Sequence, residues 1–261
     1  MAELIRERKR RKYYASEKKG VIAVADEQEG GNGRLTTKIS EYWSNLIDND
    51  SLTYALTATK STDNSQMDTE FQAKEYDGLC TLMMALDMIP IECIVRAYLT
   101  GSILEAYLSG QREFGNVTLP DGLEPQDELP ELVFTPAKIT SCGHELISLS
   151  EMAEIIEDSG HAGTSNPLTL AMILRQTSLD VFRFCTDVAL DHGIIIADAS
   201  FEFGFTETES VADRHHLIYL ADNILTPESS CLWESRRYDF HSGPMSRIES
   251  AQEYSMLCVP A

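Results

Sequence analysis

The sequence lacks several features that would place it in common classes of protein. None of its six cysteines lies in a Cys-x-x-Cys pair or a Cys/His spacing typical of zinc sites, so reduced thiols are expected. No apolar run approaches the length of a transmembrane helix, and the charged start MAELIRERKRRKYY is unlike a signal peptide. We therefore expect a cytoplasmic protein with no membrane partner.

Basic residues are scarce as well. The chain has 21 Lys and Arg against 42 Asp and Glu, which gives a net charge of −21 and argues against a nucleic-acid partner. A Gly-rich kinase loop and the HRD and DFG motifs are also missing, so a kinase-like phosphotransferase is a weak alternative. The overall acidity does not exclude a locally positive pocket that binds an anionic substrate.

What the sequence does contain is typical of a globular α+β protein. Its 261 residues are 43% apolar, enough for one large domain or two packed lobes. Helical patterns cover residues 36–47, a capping box at Ser148-Leu-Ser-Glu151 opens a helix that runs to about Asp158, and Asn166-Pro167 opens a longer one that ends at Gly193. Residues 194–197 and 201–205 are predicted to form a hairpin or adjacent strands.

The most informative stretch is ECIVRAYLTGS, from Glu92 to Ser102. Its alternating β-branched residues predict a strand, which Thr100-Gly101-Ser102 ends before a segment with helical spacing. A strand that runs into a helix in this way presents hydroxyls and backbone N–H groups to an anion. The alternative is that Arg96 only reaches out from a sheet and that Ser102 only caps a helix.

Four motifs in this order resemble those of SAICAR synthetases, the purine-pathway ligases that join aspartate to carboxyaminoimidazole ribonucleotide using ATP. They are ECIVRAYLTGS, then LPELVFTP at residues 129–136, IIIADASFEFG at 194–204 and LTPESSCLW at 225–233. The resemblance implies an α+β fold with two lobes. Residues 1–86 would form a nucleotide-binding lobe with an antiparallel sheet, and residues 87–261 a larger sheet-and-helix lobe for substrate and metal.

The resemblance also implies a function. The chain would be an ATP-dependent, ADP-forming amide ligase that uses ATP and Mg²⁺ as cofactors, with a small-molecule carboxylic acid and an amine as partners. The alternative is a non-catalytic descendant that binds a nucleotide or another ligand. Whether the chain forms a homo-oligomer is left open.

Individual residues take roles from the matching motifs. Arg96 and Ser102 match positions that hold the ribonucleotide, and Asp198 matches an acid near the imidazole amine, so Arg96 and Asp198 are the candidate catalytic residues. Glu202 and Asp222 match carboxylates that face the metal. Because Glu202 alternates with phenylalanines, we expect it to lie on the opposite face of its strand from them.

The remaining candidates lie outside the four motifs. His144 matches a loop near the aspartate site, Lys9 and Arg11 align with a strand that reaches the ATP phosphates, and Met88 falls where the family places adenine. Considered without the resemblance, His144 and the carboxylates would be interpreted as solvated surface groups.

The sequence departs from the family where cations are expected. Met84 and Ala85 replace a basic pair, Ser200 replaces a lysine, Cys231 replaces an arginine, and the Gly-rich turn at residues 26–34 is shortened. These changes predict a site that accepts one anionic group but holds a ribose phosphate poorly, and therefore a smaller or less charged acid as substrate.

Overall fold

The computed structural model describes residues 3–8, 11–26, 33–50, 56–73, 76–115, 117–140, 143–161, 166–206, 218–221, 223–235 and 248. Within them, no helix is long and apolar enough to cross a membrane. The helices are α1 (Gly33–Asn49), α2 (Gly101–Leu108), α3 (Leu149–Asp158) and α4 (Pro167–Asp191), with 3-10 turns at Asn64–Gln66 and Thr69–Gln72. The strands are β1 (Leu4–Arg8), β2 (Arg11–Ala15), β3 (Val21–Asp26), β4 (Leu56–Thr57), β5 (Thr59–Ser61), β6 (Cys80–Met84), β7 (Leu86–Tyr98), β8 (Glu113–Phe114), β9 (Val117–Thr118), β10 (Glu128–Thr140), β11 (Gly143–Leu146), β12 (Ile194–Thr206), β13 (Tyr219–Ala221) and β14 (Ser230–Glu234).

A seven-stranded sheet is the larger of the two main sheets. Its strand order is β11-β10-β7-β12-β13-β4, with β14 also paired to β12. The long strands β7, β10 and β12 run antiparallel to their neighbours, and among the described strands only the short β4 pairs in parallel, with β13. Such antiparallel pairing allows one face of the sheet to be buried while the other carries polar groups.

Helices α1, α3 and α4 cover one face of this sheet and form the main core with it. Trp43 of α1, Phe182 of α4 and Phe201 of β12 are fully buried there. The same cluster takes every second residue of β7, namely Ile89, Ile91, Cys93 and Val95. The alternation expected for Glu202 is confirmed, because Phe201 and Phe203 belong to this core and Glu202 lies between them on the opposite face.

The five-stranded sheet has the order β1-β2-β3-β6-β5, and all its pairs are antiparallel. The predicted α+β fold with an antiparallel N-terminal sheet is therefore confirmed. The chain passes directly from β6 into β7, and so from one sheet to the other, at Ala85. A division into two lobes at residue 86 stays a prediction, because α1 precedes that point yet packs into the core of the seven-stranded sheet.

The predicted starts of α3 and α4 agree with the structure, whereas α1 begins at Gly33, three residues before the predicted start. Ser148 accepts a hydrogen bond from the backbone N–H of Glu151, whose side chain accepts one from the N–H of Ser148, so the capping box is present. Asn166 caps α4, which begins at Pro167 and stops before Gly193. Gly193 has a φ of +77°, a conformation that favours glycine after a helix.

The prediction of two strands over residues 194–205 is wrong, since β12 is one continuous strand from Ile194 to Thr206. Its register against β14 shifts between Ile196 and Asp198. This irregularity has the form of a β-bulge, in which one extra residue bends the strand without ending it. The small polar residues around Asp198 therefore mark a bulge and not a turn.

Candidate active site

The bulge in β12 decides which side chains reach the polar face of the seven-stranded sheet. Before it, Ile194 and Ile196 point into the main core; after it, Ala199 and Phe201 do so instead. The change of parity turns Asp198, and with it the later even-numbered residues, away from the core. Without the extra residue these carboxylates would face the helices.

Cross-strand pairing then brings charged residues of β7 and β12 together. Arg96 lies opposite Asp198, and Glu92 lies opposite Glu202. Directly opposed residues share a face of the sheet, so all four side chains belong to the polar face. Glu92, Arg96 and Glu202 are each buried to at least 94%. Charges this deeply buried require compensating partners.

Arg96 is held by hydroxyl groups on two other elements. Its Nε donates to Thr135 Oγ1 of β10 at 3.0 Å, and its Nη2 donates to Ser102 Oγ of α2 at 2.9 Å. Its Nη1 lies 3.5 Å from Asp198 Oδ2. Burial lowers the pKa of Arg96, and the negative charges of Asp198 and Glu92 oppose that shift. The guanidinium therefore remains a fixed cation on the polar face.

The turn after β7 places the start of α2 beside this cation. Thr100 is the N-cap residue in an extended conformation, and Gly101 follows with a φ of +53°. That left-handed backbone suits a residue without Cβ, and a Cβ there would lie 3.6 Å from Arg96 Nη1. The first-turn N–H groups of α2, the Ser102 hydroxyl and Arg96 together suit a carboxylate or phosphate.

A second polar group lies further along the same face. His144 Nδ1 of β11 is 2.6 Å from Glu92 Oε2, and the His144 side chain is 38% exposed. Glu92 thus fixes the imidazole ring of His144 at the rim of the polar face. This contact joins His144 to the residues around Glu202, whereas the sequence alone gave it only a place in a loop.

These carboxylates suit a hard metal ion. Glu92 and Glu202 offer oxygen ligands, which Mg²⁺ prefers, and it is commonly bound through one or two carboxylates with phosphates and water. In the described part of the chain no group of three or more His, Cys, Asp or Glu residues is arranged for a metal. Ala221, which precedes Asp222 in the chain, lies opposite Glu202, but Asp222 itself is outside the described residues.

Met88 lies in a narrow apolar slot between the two sheets. The slot measures about 30 Å³, far below the roughly 300–1,000 Å³ of typical ligand pockets. It is lined by Arg6, Tyr13, Ile22, Ala58, Met83, Met84, Leu86, Met88 and Ala221. Three of these are methionines, whose flexible side chains repack more readily than those of other apolar residues.

Gly204 keeps β12 close to β7 beside this slot. A Cβ at Gly204 would lie 2.8 Å from the Asp87 carbonyl oxygen and 3.1 Å from Met88 Sδ. Gly204 is therefore the residue that lets the two strands approach at this point, and it links the part of β12 that carries Glu202 with Met88.

Arg11 does not reach the polar face of the seven-stranded sheet. It is buried in β2, where its Nε lies 2.5 Å from Asp26 Oδ1, and Asp26 also accepts a hydrogen bond from Thr37 Oγ1 at 2.8 Å. Its proposed contact with ATP phosphates stays a prediction. Lys9, the other candidate for this role, lies outside the described residues.

Ser200 and Cys231 flank Asp198. The Ser200 hydroxyl donates to the Ser229 carbonyl oxygen at 3.1 Å, and Cys231 of β14 lies opposite Asp198. Both side chains are partly buried, and neither is a cation. The environment of Asp198 thus has Arg96 as its cation, with short side chains at the two positions that differ from the family.

Sequence reasoning gave Glu92 and Thr135 no individual role, and it expected the Thr100 hydroxyl to face an anion, whereas that hydroxyl bonds to Asp198. The strand alternation carried a signal for Glu92, because it lies four residues before Arg96 and so on the same face. Thr135 lies in the LPELVFTP motif, but no local spacing ties it to Arg96, since that contact depends on the register between β7 and β10.

A wider groove of about 1030 Å³ lies elsewhere, bordered by β10, α3 and α4. Its lining is mostly apolar, with Phe134, Leu149 and Met172 among the larger side chains, and Glu113 and Arg175 are its charged residues. It lacks the paired carboxylates and fixed cation of the polar face, so its size alone does not make it the reaction site.

Comparison with known proteins gives one consistent result. A family model described as SAICAR synthetase matches residues 7–248. Phosphoribosylaminoimidazole-succinocarboxamide synthases of Lachnospira eligens and Streptomyces griseus are 30% and 33% identical to this chain, covering 91% and 79% of it. The chain spans 79% of the length of the first and 62% of the second.

The solved structures agree. The SAICAR synthase of Saccharomyces cerevisiae, determined with SAICAR bound, superimposes with a TM-score of 0.75 at 25% identity, over 93% of this chain and 79% of the yeast chain. The family model, the sequence relatives and the fold all indicate the same family, and its motifs contain the residues of the polar face. The chain belongs to the SAICAR synthetase family, a family of ATP-dependent ligases.

Proposed function

We propose that the protein is an ATP-dependent ligase that joins a small carboxylic acid to an amine on the polar face of the seven-stranded sheet. The observation that carries this proposal is the fixed Arg96 guanidinium, held by Thr135 and Ser102 beside Asp198. A carboxylic acid needs a cation at a defined position, and the three contacts of Arg96 preorganise one.

Each residue of the polar face has a separate role in binding the substrates. Arg96, Ser102 and the start of α2 bind the anionic group of the acid substrate. Asp198 accepts hydrogen bonds from N–H groups of the same substrate. His144, oriented by Glu92, lies at the rim, where it can contact the second substrate. Each of these side chains positions a substrate group, which is the protein's main contribution to amide formation.

ATP and Mg²⁺ fit the remaining features of the site. When bound, they supply a phosphoryl group that activates the carboxylate toward attack by an amine, with the metal charge neutralising the phosphates. Glu202, together with Asp222, would hold the metal, and Met88 in the slot between the sheets would contact the adenine ring. Lys9 and Arg11 are the candidates for phosphate contacts.

The acid is proposed to be smaller or less charged than carboxyaminoimidazole ribonucleotide. Ser200 and Cys231 beside Asp198 carry no positive charge, and Ser200 already bonds to a backbone carbonyl. A sugar phosphate carries two negative charges that need cations or many N–H donors when they leave water. Within the described part of the site, Arg96 is better matched to one anionic group.

A non-catalytic descendant is the second candidate. The ion pair of Arg11 with Asp26 and the narrow slot around Met88 favour it, because both must change before a nucleotide can use them. Such a protein would bind a ligand on the polar face without turning it over.

The first prediction separates these two functions. When ATP, Mg²⁺, an acid and an amine are mixed with the protein, ADP should form only if acid and amine are both present, because neither alone completes the reaction. A coupled assay for ADP should be run over a panel that includes aspartate, carboxyaminoimidazole ribonucleotide and smaller acids. Stabilisation of the fold by nucleotide without ADP formation from any pair would instead indicate the binding protein.

The second prediction concerns Glu202. Glu202→Gln removes one charged oxygen ligand, so the affinity for Mg²⁺-ATP should fall by about tenfold or more, measured by calorimetry. Glu131→Gln changes an exposed carboxylate of β10 and serves as the matched control. Equal affinities of the wild type and Glu202→Gln, with both proteins folded, would remove Glu202 from the metal site.

The third prediction tests the choice of acid. Ser200→Lys with Cys231→Arg should raise the affinity for carboxyaminoimidazole ribonucleotide by about tenfold or more, because a charged hydrogen bond contributes roughly 1.5–3 kcal/mol. The gain should shrink with added salt. Ser200→Met with Cys231→Met lengthens the same side chains without charge and should not produce it. Efficient turnover of the ribonucleotide by the unmodified protein would contradict the proposed preference.

A further inference from the structure

Thr100 occupies the N-cap position of α2 but does not cap that helix. Its side chain makes no hydrogen bond to the first turn. By contrast, Ser148 and Asn166, the N-cap residues of α3 and α4, both accept hydrogen bonds from backbone N–H groups of their own helices. Threonine is favoured at this position because its oxygen can accept such a bond. Thr100 therefore uses its hydroxyl for something else.

The Thr100 hydroxyl donates to Asp198 Oδ2 at 3.0 Å. The Arg96 Nη1 contact with the same oxygen is longer, at 3.5 Å, whereas charge-assisted N–H···O bonds are usually about 2.7–2.9 Å. The nearer donor to the carboxylate is thus the threonine and not the arginine. Thr100 is itself buried, with 8% of its surface exposed.

The two contacts leave the carboxylate with one oxygen engaged and one open. Both use Oδ2, and within the described residues Oδ1 of Asp198 has no hydrogen-bond donor. The Asp198 side chain is 20% exposed. A carboxylate fixed through one oxygen presents the other in a defined direction, where it can accept from an N–H group of a ligand.

We propose that Thr100 is a positioning residue for Asp198: it holds Oδ2 so that Oδ1 faces the substrate. The kinetic part of this inference rests on the proposed ligase function, in which Asp198 contacts the acid. The hydrogen bond by which Thr100 positions Asp198 does not depend on that function. Because the Thr100 hydroxyl bonds to Asp198 of β12 and not to α2, the N–H groups of the first turn of α2 stay open to an anion beside Arg96.

A double-mutant cycle tests the coupling without any need for activity. Thr100→Val removes the hydroxyl and keeps the branched shape. It should lower the Tm by about 2–4 °C when Asp198 is present, and by less than about 1 °C in the Asp198→Ala background, where the hydroxyl has lost its partner. Ser148→Ala removes an actual cap and is the control, since its effect should be the same in both backgrounds.

The kinetic measurement uses the acid and amine that give ADP with the wild type. Thr100→Val should lower kcat by about tenfold, and Thr100→Ser, which keeps the hydroxyl, should recover most of the loss. Equal Tm losses for Thr100→Val in both backgrounds would overturn the proposal, and so would unchanged kcat in Thr100→Val. If no acid and amine pair gives ADP, the ligase function fails, while the Tm cycle still decides the role of Thr100.

Discussion

The β-bulge between Ile196 and Asp198 is the constraint on which the site depends. Side chains of a strand alternate between two faces, so one extra residue exchanges the faces for everything after it. Here it sends Phe201, Phe203 and Phe205 into the core and leaves Asp198 and Glu202 opposite Arg96 and Glu92. The same local irregularity thus completes the hydrophobic core and assembles the polar face.

This arrangement places charges where they are costly. Glu92, Arg96 and Glu202 are almost fully buried, and a buried charge without partners destabilises a fold strongly. Burial raises the pKa of the neighbouring Cys93 to about 12; a hydrogen bond with Ser178 opposes this shift, and the negative charges of Glu92 and Glu202 add to it. Hydroxyl oxygens that accept hydrogen bonds from Arg96 reduce the cost for that residue, and the His144 contact reduces it for Glu92. We attribute the retention of such a face to binding and not to stability.

The sequence was sufficient for features set by local patterns and insufficient for those set by strand register. The strand from Glu92, its turn at Gly101, the capping box at Ser148 and the alternation around Glu202 follow from spacing, and the structure agrees with each. The Thr100–Asp198 contact joins residues 98 positions apart. No spacing rule reaches that far, because the contact exists only once β7 and β12 are paired with the bulge in place.

We propose that the polar face activates the carboxylate of the acid for attack by an amine. The most direct measurement follows the carboxylate oxygen, using an acid labelled there with the heavy isotope of oxygen and mass spectrometry of the inorganic phosphate released. Activation by phosphoryl transfer predicts that every phosphate released in the presence of the amine carries one labelled oxygen. The amount of this labelled phosphate should equal the amount of ADP formed. Unlabelled phosphate, released at the same rate with or without the amine, would contradict it and indicate simple hydrolysis of ATP.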